Sequence, residues 1–235
     1  MVIFTPYKRI TSGIDTQTDA GSREEAVKKA IRKQTGGVPT QDAVEIGNLP
    51  GGMWPILEPY TNDNSGGLLS PLPGVPAPKF IWDDLTMEPG ETRYFAHAVE
   101  LTGNPEDTDF VIFIATFADD AHRLFLEEWT PEGEFVFAFN FDGGEVDGNM
   151  SPTTFMGELC PPYNWQIIRY FSMDGIYVEQ EGNFLVLSYE VVNYNSIGAV
   201  NPAGLAYVMD VYKEVETENG NGNGNGDGNG NGNGD

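Results

Sequence analysis

The chain reads as an all-β protein, an antiparallel β-sandwich or jelly roll with an N-terminal extended arm and one short helix. Three observations carry that reading. Between residues 79 and 213, apolar residues recur with period 2 in about eight to ten short runs, parted by turn residues. Aromatic residues make up 12% of the chain, with 14 Phe and 10 Tyr, which suits a pleated core. Helical periodicity is confined to one stretch near the N-terminus.

Residues 2–10 alternate loosely, with Val2, Phe4, Tyr7 and Ile10, and read as an extended arm or an edge strand. Ser22-Arg-Glu-Glu25 is a capping box, in which the Ser22 hydroxyl takes the Glu25 amide. Ala26, Val27, Ala30 and Ile31 then recur at helical spacing, and Gly36-Gly37 stops a helix over 22–35. So small an apolar stripe needs a surface to dock on. Residues 1–40 therefore form a basic arm carrying a short helix. Residues 41–78 are rich in Gly, Pro, Asn and Ser and read as an extended linker. Trp54, Ile56, Leu57 and Tyr60 within it predict contact with a protein surface.

From residue 79 strands crowd together. The run 111–117 is apolar on both faces, as a central strand is. The run 134–141 sets Phe135, Phe137, Phe139 and Phe141 on one side. In 184–192, Leu185, Leu187, Tyr189 and Val191 share one side and Phe184, Val186 and Ser188 the other. Residues 204–212 close the sandwich, which spans 79–213, and 214–235 form a disordered Asn-Gly tail.

Several small motifs lie along these strands: Phe117-Ala-Asp-Asp120, Arg123-Leu-Phe-Leu126, Trp165, Glu181-Gly-Asn183 and Asn201-Pro-Ala-Gly-Leu205. Over residues 94–212 the set resembles the galactose-binding-like jelly-roll family, which includes many carbohydrate-binding and accessory domains. The resemblance implies a jelly roll, here of a surface or spore-associated structural protein. The family's usual Asn-Gly turn after the Ala-Asp-Asp strand is replaced by Glu127-Glu-Trp-Thr-Pro-Glu-Gly133.

A net charge of −24 argues against nucleic-acid binding, because phosphates would be repelled. Seven of the 12 basic residues lie in the first 33 positions against four acidic ones, so that segment carries +3 and the remainder −27. This asymmetry predicts a structural protein that self-assembles into a homo-oligomer or polymer (a filament, surface layer or coat). Lys28, Lys29, Arg32 and Lys33 of one subunit would dock on the acidic body of the next. The alternative is a carbohydrate-binding module whose Trp129, Tyr163 and Trp165 meet a glycan. Trp129 is the residue expected to be exposed and Trp165 to plug the core.

Asp142, Glu145, Asp147 and Asn149 offer hard oxygen donors on one loop and form a candidate Ca2+ site. Asp119 and Asp120 read as turn-capping residues. Glu127, Glu128 and Glu132 read as solvated. His97 and His122 have no serine or cysteine partner in a recognisable motif, and no phosphate-binding or dinucleotide fingerprint occurs. No catalytic residue is assigned, and the protein is expected not to be an enzyme. Cys160 is the single cysteine, next to Pro161, and reads as a buried, inert thiol rather than part of a disulfide framework. No leader is recognisable at the N-terminus and no apolar run reaches the roughly 18 residues of a membrane span. The expected location is extracellular or on a cell or spore surface.

Overall fold

The computed structural model describes residues 2–48, 54–57, 77–102, 109–139, 146–147, 153–155, 158–160, 167–177, 179–194 and 201–216. The strands are β1 (Val2–Thr11), β2 (Gln17–Asp19), β3 (Val44–Ile46), β4 (Phe80–Trp82), β5 (Thr92–Glu100), β6 (Phe110–Asp119) and β7 (Ala121–Trp129). They continue with β8 (Phe135–Ala138), β9 (Val146–Asp147), β10 (Thr153–Phe155), β11 (Glu158–Cys160), β12 (Arg169–Ile176), β13 (Phe184–Val192) and β14 (Gly204–Glu216). The helix α1 covers Arg23–Thr35.

Two open sheets, antiparallel throughout, form a β-sandwich with no closed barrel. The first has the order β12-β6-β14-β4-β3, and β1 shares with β4 the second edge of β14. The second has the order β2-β5-β13-β7-β8, with β9 also on β7. β10 and β11 form a separate hairpin.

Alternation explains the core. Leu185, Leu187, Tyr189 and Val191 of β13 face Ile112, Ile114, Tyr207 and Met209 of the opposite sheet, all fully or nearly fully buried. Tyr189 and Tyr207 stack across the sandwich with ring centroids 5.2 Å apart.

The outer side of β13 is covered by α1. Ser22 caps the helix by accepting the Glu25 amide at 3.2 Å, and Gly36 ends it at φ 75°. Ala26, Val27, Ala30 and Ile31 pack on Ala96 and Ala98 of β5, Phe184 and Val186 of β13, and Trp129 of β7. The two alanines of β5 let the helix come close.

Of the two readings of residues 2–10, extended arm or edge strand, the structure has the edge strand. β1 pairs along β14 from Val2↔Glu216 to Thr11↔Val208, and Ile10 lies in the main core. The strand at the other terminus is longer than expected, because β14 runs on through Glu214 and Glu216, with β1 as its partner. Trp54 and Leu57 do lie on a protein surface, that of their own first sheet, against Ala115, Phe117, Ala206 and Val208.

Candidate functional site

The basic residues expected to reach a neighbouring subunit engage the chain's own carboxylates. Lys29 meets Asp19 at 2.7 Å, Lys33 meets Asp42 at 2.8 Å, and Lys28 meets Glu24 at 2.5 Å. Arg32 stands with Lys33 in the last turn of α1, where cations complement the helix dipole. Arg9 closes on Asp210 in an ion pair that is almost wholly buried. Lys28, Lys29, Lys33 and Arg9 thus meet carboxylates of their own chain.

Trp129 is not the exposed aromatic that the sequence predicts. It is buried beneath α1, and its Nε1 donates to Glu127 Oε2 at 3.0 Å. Phe135 takes the exposed position above it, edge-on with centroids 5.7 Å apart, following a register shift between β7 and β8. Glu127 and Glu128 are also corrected: both are buried. Arg23 pairs with Glu127 while lying 4.1 Å over the Phe125 ring. Glu128 accepts the Glu179 amide and the Asn183 side chain.

Tyr163, Trp165, Asp142, Glu145 and Asn149 lie outside the described residues. Asp147 is placed only as a backbone position of β9, opposite Arg123. Among the described residues no group of three or more His, Cys, Asp or Glu is arranged to hold a metal.

Asp119 and Asp120 tie distant segments together rather than capping their own turn. Trp54 Nε1 donates to Asp119 Oδ2 at 2.8 Å, and the Tyr194 amide donates to Asp120 Oδ2 at 2.8 Å. Burial, then the neighbouring Asp120 carboxyl, pushes the Asp119 carboxyl up to about 8. His97 lies in β5 at the sheet interior and His122 at the start of β7, where the sequence sets them.

What the sequence missed is the outer face of the first sheet. Val111, Phe113, Ala115 and Phe117 of β6 point outward, with Tyr212, Asp210, Val208 and Ala206 of β14 opposite them in turn. Trp54 and Leu57 cover the Phe117–Ala206 end. The other end is open. There Phe113 is 39% exposed and Tyr170 of β12 is 57% exposed, on adjacent strands. Tyr212 backs Phe113 edge-on, with centroids 5.8 Å apart. Phe4, Val111 and Asp174 complete an open hollow of about 230 Å³ with Phe113 and Tyr212. Flat apolar rings fixed on strands, beside an exposed carboxylate, form a surface for a ligand with apolar faces and polar edges. The signal for it was in 111–117, a run apolar on both faces that needs two covers.

No family model matches the chain, and no curated protein matches it. Among solved structures it is similar to TmCBM61 in complex with β-1,4-galactotriose, at 10% identity and a TM-score of 0.26, covering 53% of this chain and 63% of that one. It is similar to the isomalto-dextranase of Arthrobacter globiformis T6 complexed with panose, at 13% identity and 0.28, covering 59% of this chain and 19% of that one. It is similar to the K1 cleaved adhesin domain of Lys-gingipain from Porphyromonas gingivalis W83, at 9% identity and 0.33, covering 86% of this chain and 99% of that one. The chain thus spans less than two thirds of the length of the first two. The fold description rests on the sheets themselves. Among the described residues no helix is long and apolar enough to cross a membrane.

Proposed function

We propose that this protein is a non-catalytic glycan-binding module, which lays a saccharide across the outer face of its first sheet on Phe113 and Tyr170. The observation that carries the reading is the open aromatic end of that face, at 39% and 57% exposure, beside a hollow edged by Asp174. Pyranose rings present C–H faces that stack on aromatic rings, while their hydroxyls seek acceptors such as a carboxylate. Tyr170 stands opposite Ala115, and Phe113 opposite Ser172, so the two rings are diagonal neighbours on β12 and β6. Diagonal residues lie about 7–8 Å apart, within reach of one short saccharide. Both rings are held by paired strands, so little order has to be gained on binding.

The proposal extends to the galactose-binding-like family, on the Ala-Asp-Asp corner between β6 and β7 and the Pro-Ala-Gly-Leu entry to β14. It extends also to a place outside the cell or on its surface, where such modules meet polysaccharide. A glycan array followed by calorimetry on the best hit is the direct test. Phe113→Ala and Tyr170→Ala should each weaken binding about tenfold or more, with both variants still melting cooperatively. A wild-type protein that binds no glycan at millimolar concentration, or a double variant of full affinity, would overturn the reading.

A further inference from the structure

A second concavity, of about 580 Å³, is walled by β1 and the turn after it, the C-terminal turns of α1, β3, Lys79 and β5. Its volume lies in the range of small-molecule sites. Its residues are all different from those of the aromatic hollow. Four of the chain's 12 Lys and Arg residues line it, in a protein with 36 acidic ones. Arg9 is closed by Asp210, and Lys33 by Asp42, the Ile14 carbonyl and, at 3.5 Å, Asp15. Lys8 and Lys79 are exposed, and their ammonium groups form no ion pair among the described residues. Cations this scarce, without an ion pair among the described residues and lining one cleft, have a ligand's charge as a natural partner.

The rest of the lining limits what that ligand is. Asp15 and Glu45 share the cleft with the lysines and accept hydrogen bonds only. His97 reaches it from β5, held by Nδ1 against the Tyr207 hydroxyl at 3.0 Å, which in turn meets Thr16 Oγ1 at 2.7 Å. Burial lowers His97 to about 4, so near neutrality it is an uncharged polar group. A dianion would be repelled by Glu45 and by Asp15, whose charge Lys33 offsets only in part at 3.5 Å, whereas one negative charge is matched by two ammonium groups. Hydroxyls would satisfy the carboxylates. The whole-chain charge of −24 further selects for a small charge held at contact.

We propose that this cleft is a binding site for a small sugar acid, a single hexuronate, whose carboxylate lies between Lys8 and Lys79 and whose hydroxyls meet Asp15 and Glu45. The site does not depend on the aromatic face, and either assignment stands without the other. The test titrates the full chain with galacturonate and glucuronate, and in parallel with galactose and inorganic phosphate, by calorimetry and NMR. Saturable uronate binding is expected, weakened about tenfold or more in Lys8→Ala/Lys79→Ala and kept in Lys8→Arg/Lys79→Arg. Phe113→Ala/Tyr170→Ala should leave it unchanged. The proposal is overturned by any of four results: no saturable uronate binding at millimolar concentration, phosphate held as tightly as uronate, an undiminished double-alanine variant, or loss in the aromatic variant.

Discussion

Asp119 and His97 are two buried groups that make the native state respond to pH in opposite directions. Asp119 is raised from 3.8 to about 8 by burial and by Asp120 beside it. Across that window the folded chain holds a proton that the unfolded chain has lost, so stability falls as pH rises. His97 is lowered from 6.5 to about 4 by burial, so the unfolded chain gains a proton the folded one refuses, and stability falls as pH drops through that window. Between 6.5 and about 8 only the first effect of the two remains. Wild-type Tm is expected to decline over that interval. Asp119→Asn, which keeps an acceptor for Trp54 Nε1, should flatten the decline. A scanning-calorimetry series across the interval checks it, and parallel slopes for the two proteins would remove Asp119 as the cause. The sequence suggested a capping role for Asp119-Asp120 and no more. Asp119 also accepts from Trp54 Nε1, 65 residues away in the chain, a hydrogen bond that opposes the upward shift and that no local pattern discloses.

At the scale of elements, each sheet's outer face is covered by a piece from the N-terminal region, and legibility differed between the two. The helix α1 could be read to within a residue, because Ser22 and Gly36 mark its ends chemically. Its docking face could not, because Ala96 and Ala98 are too small to stand out in a strand. The Trp54 segment was legible as a contact without an address. Its address is fixed by Gly204, where a Cβ would come within 2.8 Å of the Trp54 ring. Phe113 and Tyr170 escaped notice because a strand apolar on both faces reads as buried on both, and only half of the outer face is covered. The Trp54–Gly204 contact is open to a double-mutant cycle. Trp54→Ala is expected to cost about 3–5 kcal/mol, as large-to-small changes at buried tryptophans do. Gly204→Ala alone should cost about 1–3 kcal/mol through overpacking. In the Trp54→Ala background the second change should cost almost nothing, because the ring it strikes is gone. Additive losses in urea unfolding would show that the ring does not set the Gly204 requirement.

For the whole molecule, the question is whether the basic N-terminal region is an attachment or part of the body. β1 supplies an edge along most of β14, with Ile10 in the core, and Arg9 neutralises Asp210. α1 covers Trp129, Phe184 and Val186, and Arg23 neutralises Glu127. Deleting residues 1–37 would expose all of these together. Each large apolar side chain left in water costs about 1.5–3 kcal/mol, and here Trp129, Phe184 and Val186 lose their cover at once while Asp210 and Glu127 lose their cations. A domain has only about 5–15 kcal/mol of net stability to lose. The deletion also removes a segment of net positive charge from a chain that already carries −24, which adds self-repulsion. The truncated protein should therefore fail to fold, with loss of near-ultraviolet dichroism, strong dye binding to exposed apolar surface, and no cooperative melting transition. An arm that served only to join subunits would behave otherwise, leaving a truncated chain that melts cooperatively near the wild-type Tm. That outcome would return the N-terminal region to the role of a detachable arm.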